Sequence, residues 1–178
     1  MDVIEKAIIV ASKAHDGQYR KLTKIPYITH PLGVGLLLMK ANARPELVAS
    51  GILHDTVEDT ELTLEDIKEQ FGEPIATLVE GASEPDKSLS WEERKEHTIE
   101  FLRTASEDIR TVVCADKLHN IRSIIRDYEE SGEQVWSRFN RGKHKQEWYY
   151  RNVLESLGQQ SIFPLLKELQ IEVECLFG

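Results

Sequence analysis

The chain has 178 residues, 40% of them hydrophobic and 30% charged, with a formal net charge of −9. That size and balance fit one soluble globular domain with a substantial core. They speak against a general nucleic-acid binder, which needs a basic footprint to displace counterions, and no apolar run approaches the roughly 20 residues of a membrane span. The opening residues, Met1-Asp2-Val3-Ile4-Glu5-Lys6, lack the basic stretch and apolar core of a signal peptide. Cys114 and Cys175 lie far apart and belong to no CxxC pair. They fit a reduced, cytoplasmic setting, with Cys114 as a small core residue.

Nearly every segment reads as helix. Asp2 is placed to cap a first helix in which Ile4, Ala7, Ile8, Ala11 and Ala14 follow the i, i+3, i+4, i+7 pattern. Residues 16–29 read as a charged loop carrying Gly17, Arg20, Lys21, Lys24 and Pro26. Pro31 starts a second helix running through Met39, and Pro45 starts a third that ends in His54-Asp55; proline is well tolerated at a first helical position. Thr63-Leu64-Glu65-Asp66 and Ser90-Trp91-Glu92-Glu93 match the capping-box pattern. Gly72 ends one helix and Pro74 opens the next, while residues 83–90, with Pro85 and Asp86-Lys87-Ser88, read as a second loop. A long helical pattern runs from Asp108 to about Tyr128, then two or three C-terminal helices pass through Trp148-Tyr149-Tyr150 and Leu165-Leu166. With no alternating strand and no internal repeat, the chain reads as all-α: a single domain, residues 1–178, of seven to nine helices.

One stretch carries the chemistry. In Leu53-His54-Asp55-Thr56-Val57-Glu58-Asp59, one imidazole and three carboxylates end an apolar segment. If the helix continues through them, 54/58 and 55/59 are i,i+4 pairs covering about 140° of one face. Unpaired buried charge is expensive, so a divalent cation is the expected partner. Further ligands are sought where a His or Asp adjoins apolar or helix-start sequence. His30 precedes Pro31, and Asp116 follows Val112-Val113-Cys114-Ala115, with Asn120 one turn later on the same face. His30, His54, Asp55 and Asp116 would form a mixed N/O set suited to Mn²⁺, Fe²⁺ or Zn²⁺. Taken singly, each has a plainer reading: His30 as a capping or packing histidine, Asp116 as an ion-pair partner of Lys117 or Arg122, Glu58 and Asp59 as a helix end. His15, His97, His119 and His144 are read as structural or surface groups.

Order and spacing together change that balance. Ala14-His15-Asp16-Gly17-Gln18-Tyr19-Arg20-Lys21, Pro26-Tyr27-Ile28-Thr29-His30-Pro31, the HDxxED stretch at 54–59, Phe71-Gly72 and Ala115-Asp116-Lys117-Leu118-His119-Asn120-Ile121-Arg122 occur in this order. So arranged, the chain resembles the HD-domain hydrolases, and among them the hydrolase half of RelA/SpoT homologues, in the form of a stand-alone small alarmone hydrolase. The resemblance implies removal of the 3′-pyrophosphate from guanosine tetra- or pentaphosphate, giving GDP or GTP, with Mn²⁺ as the usual metal. It implies metal ligation by His30, His54, Asp55 and Asp116, catalysis by Glu58 and Asp59, and nucleotide or phosphate contacts from Arg20, Lys21 and Asn120. Two positions depart from the long family members: Leu22-Thr23-Lys24-Ile25 lacks their small Ser-Gly pair, and Lys117 stands where Arg is common.

The residues suggest how such a site would work. Glu58 would position or deprotonate the nucleophilic water, and Asp59 would share that task. Arg20, Lys21 and Lys24 would neutralise phosphate, with a solvated basic loop as the alternative for the trio. Lys143, Lys145 and Tyr149 could close the far side of the pocket, although Trp148-Tyr149-Tyr150 fits helix packing better than a base-stacking platform. Two other readings stay open. One is an HD-type phosphohydrolase acting on another nucleotide, a nicotinamide dinucleotide phosphate or a nucleoside phosphate. The other is a nucleotide-sensing module without turnover, which Glu58 and Asp59 argue against.

Overall fold

The computed structural model describes residues 1–21, 23–84, 88–161 and 163–178. Its helices are α1 (Val3–Ala14), α2 (Thr29–Lys40), α3 (Pro45–Leu53), α4 (Thr56–Asp59), α5 (Leu64–Phe71), α6 (Glu73–Ala82), α7 (Trp91–Thr104), α8 (Glu107–Ser131), α9 (Gly142–Gly158) and α10 (Pro164–Phe177), with a 3-10 helix at Gly132–Arg138 before α9. Among the described residues nine helices have eight residues or more and α4 is a single turn, so the chain is all-α with the expected number of full helices. The one β pairing among them is an isolated antiparallel bridge between Tyr19 and Pro26, which folds the first loop back on itself. No described helix is long and apolar enough to cross a membrane. Residues 85–87 of the second expected loop lie outside the described residues.

The helix ends follow local chemistry. Asp2 accepts from the Ile4 N–H, and both capping boxes form, Thr63 with Asp66 and Ser90 with Glu93. Each satisfies donors that the first turn of a helix leaves without partners. Gly72 closes α5 at φ +85°, a conformation that disfavours a side chain, and Pro74 follows in the first turn of α6. Helix α2 begins at Thr29, two residues before Pro31, so the missing proline N–H still falls in the first turn, where no helical acceptor exists. That shift places His30 on the helix itself.

Helix α3 is the hub. All of residues 47–53 are buried, and α3 packs against α1, α2, α6 and α8. Its neighbour α8 buries Val112, Val113, Cys114, Ala115, Leu118 and Ile121, and packs against α2, α6, α9 and α10 as well. Arg110 ties α8 to the end of α9, its guanidinium donating to the Leu157 carbonyl at 2.9 Å. Tyr149 and Tyr150 are buried in α9, and Trp91 of α7 meets Trp148 and Tyr149 at ring-centroid distances of 6.2 Å. The triplet packs within the fold, and Tyr149 and Tyr150 also line a cavity described below. On α1 the buried face is Ala7 and Ala11, whereas Ile8 is substantially exposed.

Helix α3 ends at the dyad, as its sequence suggested, and does not run on through residues 54–59. Two side chains take the last carbonyls of α3: the His54 ring donates to Gly51 O at 2.8 Å, and the Thr56 hydroxyl donates to Leu53 O at 2.6 Å. Asp55 sits at φ −90°, ψ −7°, a sparsely populated bridge conformation frequent at functional sites. The chain then restarts as α4, with Asp59 N–H on Asp55 O at 2.9 Å.

Close approach of α2 and α3 makes a test of this packing. A Cβ on Gly35 would lie 2.5 Å from Ile52 Cγ1, and one on Gly51 would lie 2.4 Å from Leu38 Cδ1. Helix propensity alone predicts that Gly35→Ala stabilises by about 1 kcal/mol. Overpacking costs about 1–3 kcal/mol, so the urea midpoint of Gly35→Ala should fall; a rise would show that the helices are not so closely apposed.

Candidate metal centre and substrate cleft

Three segments bring four polar side chains to one point in the core. His30 comes from the first turn of α2, His54 and Asp55 from the break after α3, and Asp116 from the middle of α8. His30 and His54 are each 2% exposed and Asp116 7%. His30 Nε2 lies 3.1 Å from Asp116 Oδ1 and 3.4 Å from Asp55 Oδ2. His54 Nε2 lies 3.1 Å from Asp55 Oδ1 and 3.6 Å from Asp116 Oδ1. One ligand atom from each of His30, His54 and Asp116 falls within 4.8 Å of the others.

This arrangement asks for positive charge. The His54 Nδ1–H is used on Gly51 O, so Nε2 is the nitrogen left to face the two carboxylates. That Nε2 is buried with no hydrogen-bond partner. Burial disfavours a charged imidazole, yet Asp55 and Asp116 outweigh it and push the His54 pKa well above its ordinary value. Burial likewise works against ionised Asp116, but the Lys117 ammonium and the two imidazoles hold its carboxyl well below the usual range. Two imidazole nitrogens and two carboxylates converging on one point are the donor set of a divalent cation, and they suggest such a metal here.

The surroundings hold these groups in place. Lys117 Nζ donates to Asp116 Oδ2 at 2.7 Å, and Asn120 donates to Asp116 Oδ1 at 2.6 Å. Arg20 in turn donates to Asn120 Oδ1 at 3.1 Å. The Tyr27 hydroxyl donates to Asp55 Oδ2 at 2.6 Å and reaches Asp59 Oδ2 at 3.3 Å; burial and these carboxylates raise its pKa, so it stays a donor. His30 Nδ1 lies 2.9 Å from His119 Nδ1. Burial, His30 and Arg20 press the His119 pKa down to about 4, leaving that ring neutral. Glu58 Oε2 accepts from the Glu84 N–H at 3.1 Å. Burial raises the Glu58 pKa, and the carboxylates of Glu84, Asp55 and Asp59 add to it against the Glu84 N–H. Glu58 is thereby made a better base than an exposed glutamate.

Two adjoining cavities open here. One, about 330 Å³, is lined by His30, Asp55, Asp116, Glu58 and Asp59, with Arg20, Asn120, Lys95, Lys117 and Tyr149 around them. The other, about 680 Å³, shares Arg20, Tyr27, Trp91, Phe139 and Gln146 with the first. Its walls gather six cations, Arg20, Lys21, Arg94, Arg126, Arg138 and Arg141, on a chain of net charge −9. Among its described lining residues Asp127 is the one carboxylate, and it is paired with Arg138.

The structure thus places His30, His54, Asp55, Asp116, Glu58, Asp59, Arg20, Asn120 and Tyr149 around one centre, with Lys21 beside it donating to Arg138 O at 2.8 Å. Two expected contacts are not brought in. Lys24 is exposed and lines neither cavity. Lys143 lies outside as well: it pairs with Glu133 at 3.3 Å and sits over the Tyr128 and Trp136 rings, held by the 3-10 helix. Lys145 is turned toward Trp148 and Glu92. Residues not anticipated include Lys95 and Arg94, both on the Glu84 carboxylate, and His119, expected to be merely structural. Lys95 and Arg94 lie in the charge-dense run Glu92-Glu93-Arg94-Lys95-Glu96, where nothing singles out the inward-facing pair.

The chain is thus an all-α helical domain with a buried His/Asp cluster at a helix break. Residues 7–144 match the HD domain family, and the chain belongs to that family. It is 42% identical over 124 residues to the GTP pyrophosphokinase of Streptomyces coelicolor, covering 68% of this chain and 14% of that protein. It is 37% identical over 134 residues to the guanosine-3′,5′-bis(diphosphate) 3′-pyrophosphohydrolase of Aquifex aeolicus, covering 74% and 19%. The chain thus spans less than a fifth of the length of these two curated relatives. Among solved structures, lmo0812 from Listeria monocytogenes EGD-e superposes with a TM-score of 0.79 at 41% identity, over 83% of this chain and 98% of that one. A metazoan ortholog of SpoT, described as hydrolysing ppGpp, shares the fold with a TM-score of 0.82 at 24% identity, over 98% and 96%.

A cation bound only by the folded state should raise the unfolding midpoint, by about 2.7 kcal/mol of stability at 100 times its Kd. Thermal unfolding with Mn²⁺ and then with excess chelator should show the rise and its reversal. Asp55→Ala should show neither; an undiminished rise in that variant would remove Asp55 from the site.

Proposed function

We propose that this chain is a metal-dependent hydrolase that removes the 3′-pyrophosphate of guanosine tetra- or pentaphosphate. The observation that carries the reading is the juxtaposition of a cation-demanding cluster, the raised-pKa Glu58 and a six-cation cleft. Relatives named as 3′-pyrophosphohydrolases of the same bis(diphosphate) support the substrate. Such a nucleotide carries phosphate at both ends of its ribose. On this reading one diphosphate occupies the metal cavity and the other the basic cleft, two spaces that share Arg20 among their lining residues.

We assign His30, His54, Asp55 and Asp116 as the ligands and Mn²⁺ as the metal, on the mixed N/O set and the family resemblance. When bound, the ion supplies a water of lowered pKa and neutralises phosphoryl charge. Glu58 takes the proton of the attacking water, a role that its half-buried position beside the cluster suits. Asp59, held through Tyr27, helps orient that water. Water adds to the phosphorus attached to O3′, the P–O3′ bond breaks, and O3′ gains a proton as GDP or GTP leaves. Arg20 and Lys95 neutralise the departing pyrophosphate, Arg as a fork and Lys as a point charge. The free thiols of Cys114 and Cys175 accord with a reduced, cytoplasmic setting.

A second reading keeps the same chemistry with another nucleotide, such as a nicotinamide dinucleotide phosphate. It is favoured by one feature: the cleft lining is rich in phosphate-binding cations, and its one described carboxylate is tied to Arg138 rather than presented to a base. A nucleotide panel with Mn²⁺, following pyrophosphate against orthophosphate, separates the readings. Pyrophosphate from guanosine tetraphosphate supports the first; orthophosphate from other nucleotides alone supports the second. Binding of guanosine tetraphosphate with no turnover would leave a sensing module. Glu58→Gln should lower kcat by about 10²–10⁴ while Mn²⁺ affinity stays within about threefold. Loss of the metal with activity would make Glu58 a ligand instead of a base.

A further inference from the structure

The two histidines of the cluster are oriented by different means. His54 sits at the end of α3, where a carbonyl of its own helix is within reach, and Gly51 O fixes its Nδ1–H. His30 sits in the first turn of α2, and its Nδ1 faces a side chain from another helix, His119 of α8, at 2.9 Å between the two Nδ1 atoms. A contact of that length holds one proton between the two Nδ1 atoms, so one ring donates and the other accepts. For His30 Nε2 to offer a lone pair beside Asp116 and Asp55, the shared proton must belong to His30.

His119 is fitted to accept it. Its ring lies on Gly33, one turn along α2 from His30, so closely that a Cβ there would meet His119 Nε2 at 2.1 Å and Cδ2 at 2.3 Å. The ring is stacked at a tilt against His30, with centroids 4.9 Å apart. Its Nε2 edge thus lies toward Gly33 while its Nδ1 edge meets His30, and the same residue lines the basic cleft. Gly33, which has no other evident role in a helix, is explained as the space for this ring.

We infer that His119 is a positioning residue: by accepting the Nδ1–H of His30 it sets the tautomer and ring orientation that present His30 Nε2 to the cation. This rests on the metal reading above. Groups that orient a metal-binding histidine in this way change affinity by about 10–100-fold when removed.

The test is Mn²⁺ affinity, measured by competition with a chromogenic chelator on the full chain, with metal-free unfolding midpoints checking the fold. His119→Ala and His119→Phe remove the acceptor, the second while still filling the space over Gly33. His119→Asn keeps an amide oxygen near the position of Nδ1. Both acceptor-less variants should bind Mn²⁺ about 10–100-fold more weakly, and His119→Asn should stay within about threefold of the unaltered chain. If either folded acceptor-less variant binds Mn²⁺ as tightly as the unaltered chain, the inference is wrong. It is equally wrong if His119→Asn loses as much affinity as they do. Should the unaltered chain bind no Mn²⁺, the metal reading itself fails, an outcome distinct from unchanged affinity in the variants.

Discussion

Two carboxylates facing two imidazoles among buried side chains constrain everything else in this molecule. Isolated, a buried carboxylate is costly enough that proteins neutralise it. Here Asp116 lies in the middle of a 25-residue helix, surrounded along the chain by Val112, Val113, Cys114, Ala115 and Leu118, all buried. Lys117 and Asn120 take part of its bonding capacity, but one oxygen still points at His30 and His54. The helix break at Asp55 answers from the other side, placing a second carboxylate opposite the first. The packing of α2, α3 and α8 makes those positions meet, and the approach of α2 to α3 depends on Gly35 and Gly51 lacking side chains.

The electrostatics divide into two neighbouring regions of opposite demand. Around Asp55, Glu58, Asp59 and Asp116 the local field favours cations and raises the basicity of Glu58. A few ångströms of shared wall away, six Lys and Arg side chains gather in a wider cleft. Arg94, Arg138 and Arg141 are paired with Glu84, Asp127 and Glu92, and cations lining a concave surface concentrate an anionic ligand. Hydrolysis of a polyphosphate needs both regions at once. Arg20 belongs to both, linking cleft to centre through Asn120.

Much of this was legible in the residues, and what was not has physical causes. Helix ends could be read because proline, glycine and the capping boxes act locally, and the boxes at Thr63 and Ser90 formed as written. Adjacency to apolar or helix-start sequence made His30, His54, Asp55 and Asp116 candidates, and their convergence could be expected from the order and spacing of motifs that resemble those of the HD-domain hydrolases. The helix end at His54-Asp55 could be read as well, but not its cause, the side chains that compete for the carbonyls of Gly51 and Leu53. Lys24 and Lys143 looked suitable by charge, but their positions follow from the Tyr19–Pro26 bridge and the 3-10 helix, neither of which has a periodic signal. His119 and Lys95 were passed over because a residue's partner across the fold leaves no mark in its neighbours along the chain. Gly33 was the available clue for His119, a glycine inside a helix with no turn to make.

Anomalous X-ray diffraction from Mn²⁺-soaked crystals, collected at the manganese edge, tests the central claim most directly. The account predicts one strong peak per chain, within about 2.0–2.3 Å of Nε2 of both His30 and His54 and of an oxygen from each of Asp55 and Asp116. A peak held by other residues, or density showing those four side chains closed on one another around a proton with no metal at saturating Mn²⁺, would contradict it.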